Sequence, residues 1–249
     1  MPSLKTLTNY LAHPDRIPER LSEKRMNAAA QKMYALQSPA DTQRERAALW
    51  GDKAQSLVAE AQARPLYQRL VVERGDRVIA SQTTSLDDCV TMYVLVRLYQ
   101  PRIMVETGVF YGAMSAMILE AMAANGGGRL YSIDLPVPGD GLPLERRGGL
   151  VPAERRDAWE FILGDSREKL HPLLEQLGTI DAFNHDSLHT TRHMMWEYAT
   201  AWPYLKAAGI LSSHDVLTTP AWGRFCAQHQ VEIQRSGRIF GLGIVVKSG

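Results

Sequence analysis

Cysteine is nearly absent from this 249-residue chain: Cys89 and Cys226 are its only two, in unrelated segments and without CxxC spacing. That excludes a disulfide framework and a zinc ribbon, and both thiols read as reduced. No excess charge of either sign is present, since 28 Lys and Arg stand against 27 Asp and Glu for a formal net charge of +1. Nothing electrostatic therefore draws the chain to nucleic acid or to a membrane surface, and a small neutral or zwitterionic ligand fits better. No apolar run approaches the roughly 18 residues of a membrane span, and the opening stretch MPSLKTLTNYLAHPDR lacks the apolar centre of a secretory signal. The expected location is cytoplasmic. Internal repeats and low-complexity segments are missing too.

What is present divides in two by texture. Residues 19–37 and 41–75 are rich in Ala, Leu, Glu, Gln, Arg and Lys with apolar residues at helical spacing, which reads as two or three helices interrupted at Pro39. We expect residues 1–80 to be a helical cap or dimerisation segment, and residues 81–249 to be a ligand-binding domain. From Ser85 onward, SLDDCVTMYVLVRLYQ reads as an amphipathic helix with a serine cap and acids in its first turn. Strands at 102–106, 129–134, 161–165, 180–186 and 209–215 then alternate with helices at 113–124, 167–177 and 190–205. This rhythm predicts an α/β fold, Rossmann-like, with a mostly parallel sheet and helices on both faces. The tail, Val231 to Gln234 and then Gly241 to Val246, reads as two closing strands.

The chemistry begins at Glu106-Thr-Gly108-Val-Phe-Tyr-Gly112, on a strand-to-helix junction where glycine permits a tight turn and a close backbone approach to a ligand. Asp134 ends the next strand, the place of an acid that accepts hydrogen bonds from ribose hydroxyls. Together they point to a nucleotide-like cofactor. The dinucleotide fingerprint G-x-G-x-x-G is not met, because Glu106 and Tyr111 stand where glycines would be, and this argues against NAD.

E-x-G-x-x-x-G resembles motif I of class I S-adenosylmethionine-dependent methyltransferases. Downstream, Gly149-Leu-Val-Pro152, Gly164-Asp-Ser-Arg167, Asp181 to His189 and Leu205 to Asp215 resemble successive blocks of the methyltransferase-24 group, over about residues 85–246. The resemblance implies the class I sheet order with the last strand antiparallel, and S-adenosylmethionine as cofactor. It also implies Glu106 and the glycines at the methionine end, Asp134 at the ribose and Asp165 near the adenine. The implied cofactor-binding set is Glu106, Gly108, Phe110, Tyr111, Gly112, Ser115, Asp134, Asp165, Ser166 and Asp186. The expected acceptor is a small molecule, a natural product or sugar-like metabolite methylated on oxygen in preference to nitrogen, and the chain is expected to be a homo-oligomer, a homodimer first.

His185, His189, His193 and His214 gather at two strand ends with Asp186 and Asp215. Relatives place a divalent metal there on carboxylates, so Asp186 and Asp215 are candidate ligands with His214 or His189 as a third. Where those relatives carry two adjacent acids this chain has His214-Asp215, which disfavours magnesium and suits softer metals. Alternatively His189 is a general base oriented by Asp186; for His193, helix capping or backbone satisfaction is the expected role. The stretch from Pro136 to Gly149 is too long for an ordinary connection and reads as a lid or binding loop, and Arg146, Arg147, Arg155 and Arg156 are candidates for an anionic group or for solvent. Two other classes remain open: an NAD-dependent oxidoreductase and a catalytically silent binding or assembly protein.

Overall fold

The computed structural model describes residues 17–36, 38–73, 84–136, 142–229, 236–239 and 241–248. Among the described residues four helices come first: α1 (Ile17–Leu36), α2 (Pro39–Trp50), α3 (Asp52–Ala63) and α4 (Pro65–Glu73). Pro39 starts a helix rather than merely interrupting one. Ser38 caps α2 in a reciprocal box with Asp41, and proline at the first helical position has no N–H to satisfy. The second helical run is broken into three by Gly51, whose φ is 66°, and by the Arg64-Pro65 pair.

Helix α5 (Leu86–Tyr99) begins at the Ser85 cap, where Ser85 Oγ accepts the Asp88 N–H at 3.0 Å. It is not amphipathic in its surroundings: every residue from Cys89 to Val96 is buried. The reason is tertiary, because α3 covers one side of α5 and α6 (Ala113–Ala124) covers the other. Ala54, Leu57, Ala61, Leu66 and Leu70 from the leading helices thus share one apolar core with α5 and α6.

The sheet comprises β1 (Ile103–Thr107), β2 (Arg129–Asp134), β3 (Trp159–Leu163), β4 (Ile180–His185), β5 (Leu205–Ser213), β6 (Ser236–Ile239) and β7 (Leu242–Val246), in the order β3-β2-β1-β4-β5-β7-β6. Strands β1 to β5 pair in parallel, and β7 runs antiparallel between β5 and β6. The last strand is therefore antiparallel, as the resemblance implies. Helices α7 (Ser166–Leu177), α8 (Thr191–Ala201) and α9 (Ala221–Gln228) close the second face over a core with Leu170, Phe183, Tyr198 and Phe225. Of the expected closing strands, the second matches β7; the first, at Val231 to Gln234, lies outside the described residues, as do residues 137–141 of the insertion. Among the described residues no helix is long and apolar enough to cross a membrane.

Candidate active site

Sheet order reverses between β1 and β4, and the carboxyl ends of these strands bound a crevice, the place where open α/β sheets take ligands. The turn after β1 requires glycine. Gly108 has φ of 87°, and a Cβ on it would lie 2.0 Å from the Asp186 carbonyl oxygen after β4. Gly112, at φ of 84°, is also closely approached, by the Gly148 Cα of the insertion: a Cβ there would sit 2.8 Å away.

A cavity of about 380 Å³ runs along these strand ends, lined by Gly108, Val109, Phe110, Asp134, Asp165, Ser166, Asp186 and His193 among others. A smaller one of about 130 Å³ lies beside it, lined by Thr84, Gly108 to Met114 and Asp186. Asp186 faces both. Glu106 and Ser115 line neither: Ser115 Oγ donates to Glu106 beneath the turn, and both side chains are wholly buried. They brace the turn from behind, with Ser132 Oγ donating a second bond to Glu106 Oε1 at 2.6 Å.

Asp134 accepts the Val109 N–H at 3.1 Å and pairs with Arg147 at 2.7 Å. Asp165 caps α7, and hydrogen bonds from Arg167 hold its carboxyl below the usual aspartate range. Ser166 Oγ lies 3.2 Å from His193 Nε2, and the same nitrogen meets Glu197 Oε1 at 2.9 Å. His193 thus sits on the cavity wall in a side-chain network, not on a backbone group. Arg155 is taken by Glu120 at 2.9 Å, while the Arg146 guanidinium lies over the Tyr111 ring, 5.5 Å from its centroid.

On the other side of Asp186 the histidine cluster is closed by distant residues. His214 Nδ1 is 3.0 Å from Asp186 Oδ1, and its Nε2 is 3.4 Å from Asp88 Oδ2. Burial opposes a charged ring there, but the two carboxylates outweigh it and raise the His214 pKa well above the usual histidine value. His189 is the reverse case: burial, reinforced by neighbouring His185, pushes it down to about 4. Its Nε2 is buried without a hydrogen-bond partner among the described residues, 3.7 Å from Asp186 Oδ1 and 3.9 Å from Asp215 Oδ2. Donor atoms of Asp186, His189 and His214 all lie within 4.8 Å of one another, a spacing able to hold a metal ion. Asp215, at φ of 55°, stands at the edge of this group, 3.9 Å from His214 Nδ1. Two imidazoles beside carboxylates fit a transition metal better than magnesium, which favours an all-oxygen shell.

Sequence reasoning missed three residues. Glu197 lies four positions after His193, a helical spacing that could have been noticed. Asp88 reads as a helix-dipole acid, and its pairing with His214 has no local signal. Thr84, whose Oγ1 donates to Asp186 Oδ2 at 3.3 Å, is equally silent in sequence.

Residues 105–216 match the methyltransferase domain family Methyltransf_24. None of the curated proteins matches the chain in sequence. Among solved structures the fold is similar to the O-methyltransferase TomG from Streptomyces achromogenes, involved in tomaymycin synthesis and solved with SAM, at 15% identity and TM-score 0.54 over 75% of this chain and 91% of that one. The O-methyltransferase from Bacillus cereus, solved with SAH, is similar at 14% identity and TM-score 0.53 over 74% and 91%. The SAH-bound methyltransferase PaMTH1 from Podospora anserina gives 13% and 0.50 over 80% and 88%. At these identities the likeness is one of fold.

Proposed function

Starting from the premise that the chain is a class I S-adenosylmethionine-dependent methyltransferase of the methyltransferase-24 group, we propose that it methylates a hydroxyl oxygen of a small natural product or sugar-like metabolite. The observation that carries this reading is Asp186, which lines both cavities and also anchors the His189–His214 cluster. In this reading the larger cavity takes the cofactor, with Asp134 accepting from the ribose and Asp165 and Ser166 meeting the adenine. Gly108, Phe110, Tyr111 and Gly112 receive the methionine end, and Glu106 and Ser115 hold that turn from beneath. The acceptor oxygen attacks the methyl carbon in line as the carbon–sulfur bond breaks, and S-adenosylhomocysteine leaves. Holding the two reactants aligned supplies most of the acceleration.

The acceptor's proton must leave as its oxygen bonds to carbon. His189 is neutral near pH 7, and its Nε2, which no described residue hydrogen-bonds, lies 3.7 Å from Asp186 Oδ1. It either receives the proton or, with Asp186, His214 and Asp215, holds a divalent metal, which when bound supplies Lewis-acid activation of the hydroxyl. Residues 1–80 act as a helical cap on the domain formed by 81–249, and the chain works as a homodimer. The exposed Leu21, Met33 and Leu36 of α1 support burial against a second copy.

The test is turnover against a library of hydroxylated acceptors, with calorimetry of S-adenosylhomocysteine. His189→Ala lowers turnover by about two to four orders of magnitude while leaving cofactor affinity near wild type. Chelation that abolishes activity, with a divalent cation restoring it, identifies the metal route; insensitivity to chelation leaves His189 as the base. Full activity in an Asp186→Ala, His189→Ala double variant sinks the shared site. Loss of association on deleting residues 1–70 supports the dimer role, and an unchanged association state refutes it.

A further inference from the structure

The described part of the insertion after β2 is fastened down. Gly148 N–H donates to the Phe110 carbonyl at 2.8 Å, Leu150 N–H donates to the Tyr111 carbonyl at 3.0 Å, and Arg69 of α4 donates to the Leu150 carbonyl at 2.7 Å. Gly148 has φ of 64°, and a Cβ on it would lie 2.2 Å from the Trp159 ring, so only glycine lets the strap pass. This anchored backbone delivers one side chain into the cavity wall. Arg147 is 2% exposed at its side chain, and its Nη1 meets Asp134 Oδ2 at 2.7 Å. The other Asp134 oxygen already accepts the Val109 N–H. Both oxygens of the carboxylate are therefore engaged, and its side chain is 9% exposed, before any ribose arrives.

We propose that Arg147 is an internal competitor for Asp134: its guanidinium occupies the place of the cofactor's ribose hydroxyls, so the cofactor loads by displacing it, and Arg147 sets cofactor affinity. The inference rests on the reading of Asp134 as the ribose acceptor. Its physical basis is the demand of a buried carboxylate for a partner. With the cavity empty of cofactor, a guanidinium is the strongest partner available, because charge-assisted bonds exceed those to neutral hydroxyls. Ribose hydroxyls replace it only when the adenine and methionine contacts supply the difference. The apparent affinity is then lowered by the fraction of molecules in which Asp134 is open. Because the strap backbone is bonded to the Phe110 and Tyr111 carbonyls directly after residue 147, the guanidinium swings and the strap stays.

The test is calorimetry on the full chain with three probes: S-adenosylhomocysteine, adenosine and 2′,3′-dideoxyadenosine. Arg147→Met keeps the length and apolar stem of the side chain and removes the charge. It is expected to bind adenosine and S-adenosylhomocysteine on the order of tenfold more tightly, as removal of the competing state requires. Dideoxyadenosine, which has no hydroxyls for Asp134, changes by less than about twofold. Adenosine binding that is unchanged or weaker in the Met variant overturns the proposal, because Arg147 then coexists with the ribose or helps to hold it. If the Met variant does not fold, Arg147→Lys retains the charge on a less reaching, non-bidentate head. It is expected to show a smaller gain with the same split between adenosine and dideoxyadenosine, and absence of the split overturns the idea. Asp134→Asn separates the two layers of the argument. Unchanged adenosine affinity in that variant removes the ribose reading itself, whereas weakened affinity without a gain in Arg147→Met overturns only the competition.

Discussion

Glu106 on β1 and Glu197 on α8 are both wholly buried, yet they treat their protons in opposite ways. Burial pushes Glu106 up to about 7, and the nearby negative charges of Asp186 and Asp134 add to it. Two hydroxyls share its Oε1, and Oε2 has no partner among the described residues. Glu197 is just as desolvated, but four side chains donate to it: Thr107, Ser187 at 2.9 Å, His185 through Nδ1 at 2.5 Å and His193 through Nε2 at 2.9 Å. The imidazoles, His185 first and then His193, outweigh burial and hold its carboxyl far below the usual glutamate range. Burial alone does not decide ionisation; the number and charge of the donors do.

The comparison breaks most visibly at its saturated end. Glu197→Ala leaves two imidazoles and two hydroxyls without their common acceptor, and stability falls by about 3 to 5 kcal/mol, read from denaturant midpoints. A loss under about 1 kcal/mol would mean that the hub is not ionised. The sign with pH follows from its depressed folded-state value: the stabilisation is full above the ordinary 4.5 and fades as pH falls below it, so the gap between wild type and variant narrows in acid.

At intermediate size, Ser132→Ala takes one donor from Glu106 and also strands the Trp159 Nε1–H, which Ser132 Oγ accepts at 2.7 Å. The expected loss is about 1 to 3 kcal/mol, with the Glu106 proton held to still higher pH. A variant as stable as wild type at pH 7 would show that neither bond matters.

The smallest effect has the opposite sign. Because the folded-state value of Glu106 is raised from 4.5 to about 7, stability declines as pH rises through that window, and the penalty is complete above it. Glu106→Gln resembles the protonated acid, so it matches wild type near pH 5. At pH 8 it is more stable by on the order of 1 kcal/mol, since its amide nitrogen still occupies the partnerless position. Melting curves at the two pH values check this, and equal differences at both would refute the raised value.

Much of the site was legible because local rules govern it. Gly108 and Gly112 announce a turn that no other residue makes, and Asp134 and Asp186 fall at strand ends where alternating strands and helices place them. The helix at Ser85 was legible in its cap but not in its surroundings. Its eight-residue buried stretch depends on α3, which belongs to the segment read as a helical cap or dimerisation segment. The insertion read as a lid because its length and its glycines say nothing about bonds to residues far along the chain, and its described part is anchored by Arg69 from 81 positions upstream of Leu150.

By itself the sequence determined the order of elements, the glycine turn and the gathering of acids and histidines at two strand ends, since spacing and backbone sterics act over a few residues. Tertiary structure alone decided which of those groups are charged and which are open. His214 is held between Asp186 and Asp88, the latter 126 positions away, Arg147 rests on Asp134, and His189 Nε2 is buried without a partner among the described residues. The reason is electrostatic: a buried group's proton and its availability depend on every donor and charge packed within a few ångströms, and chain separation does not encode that distance.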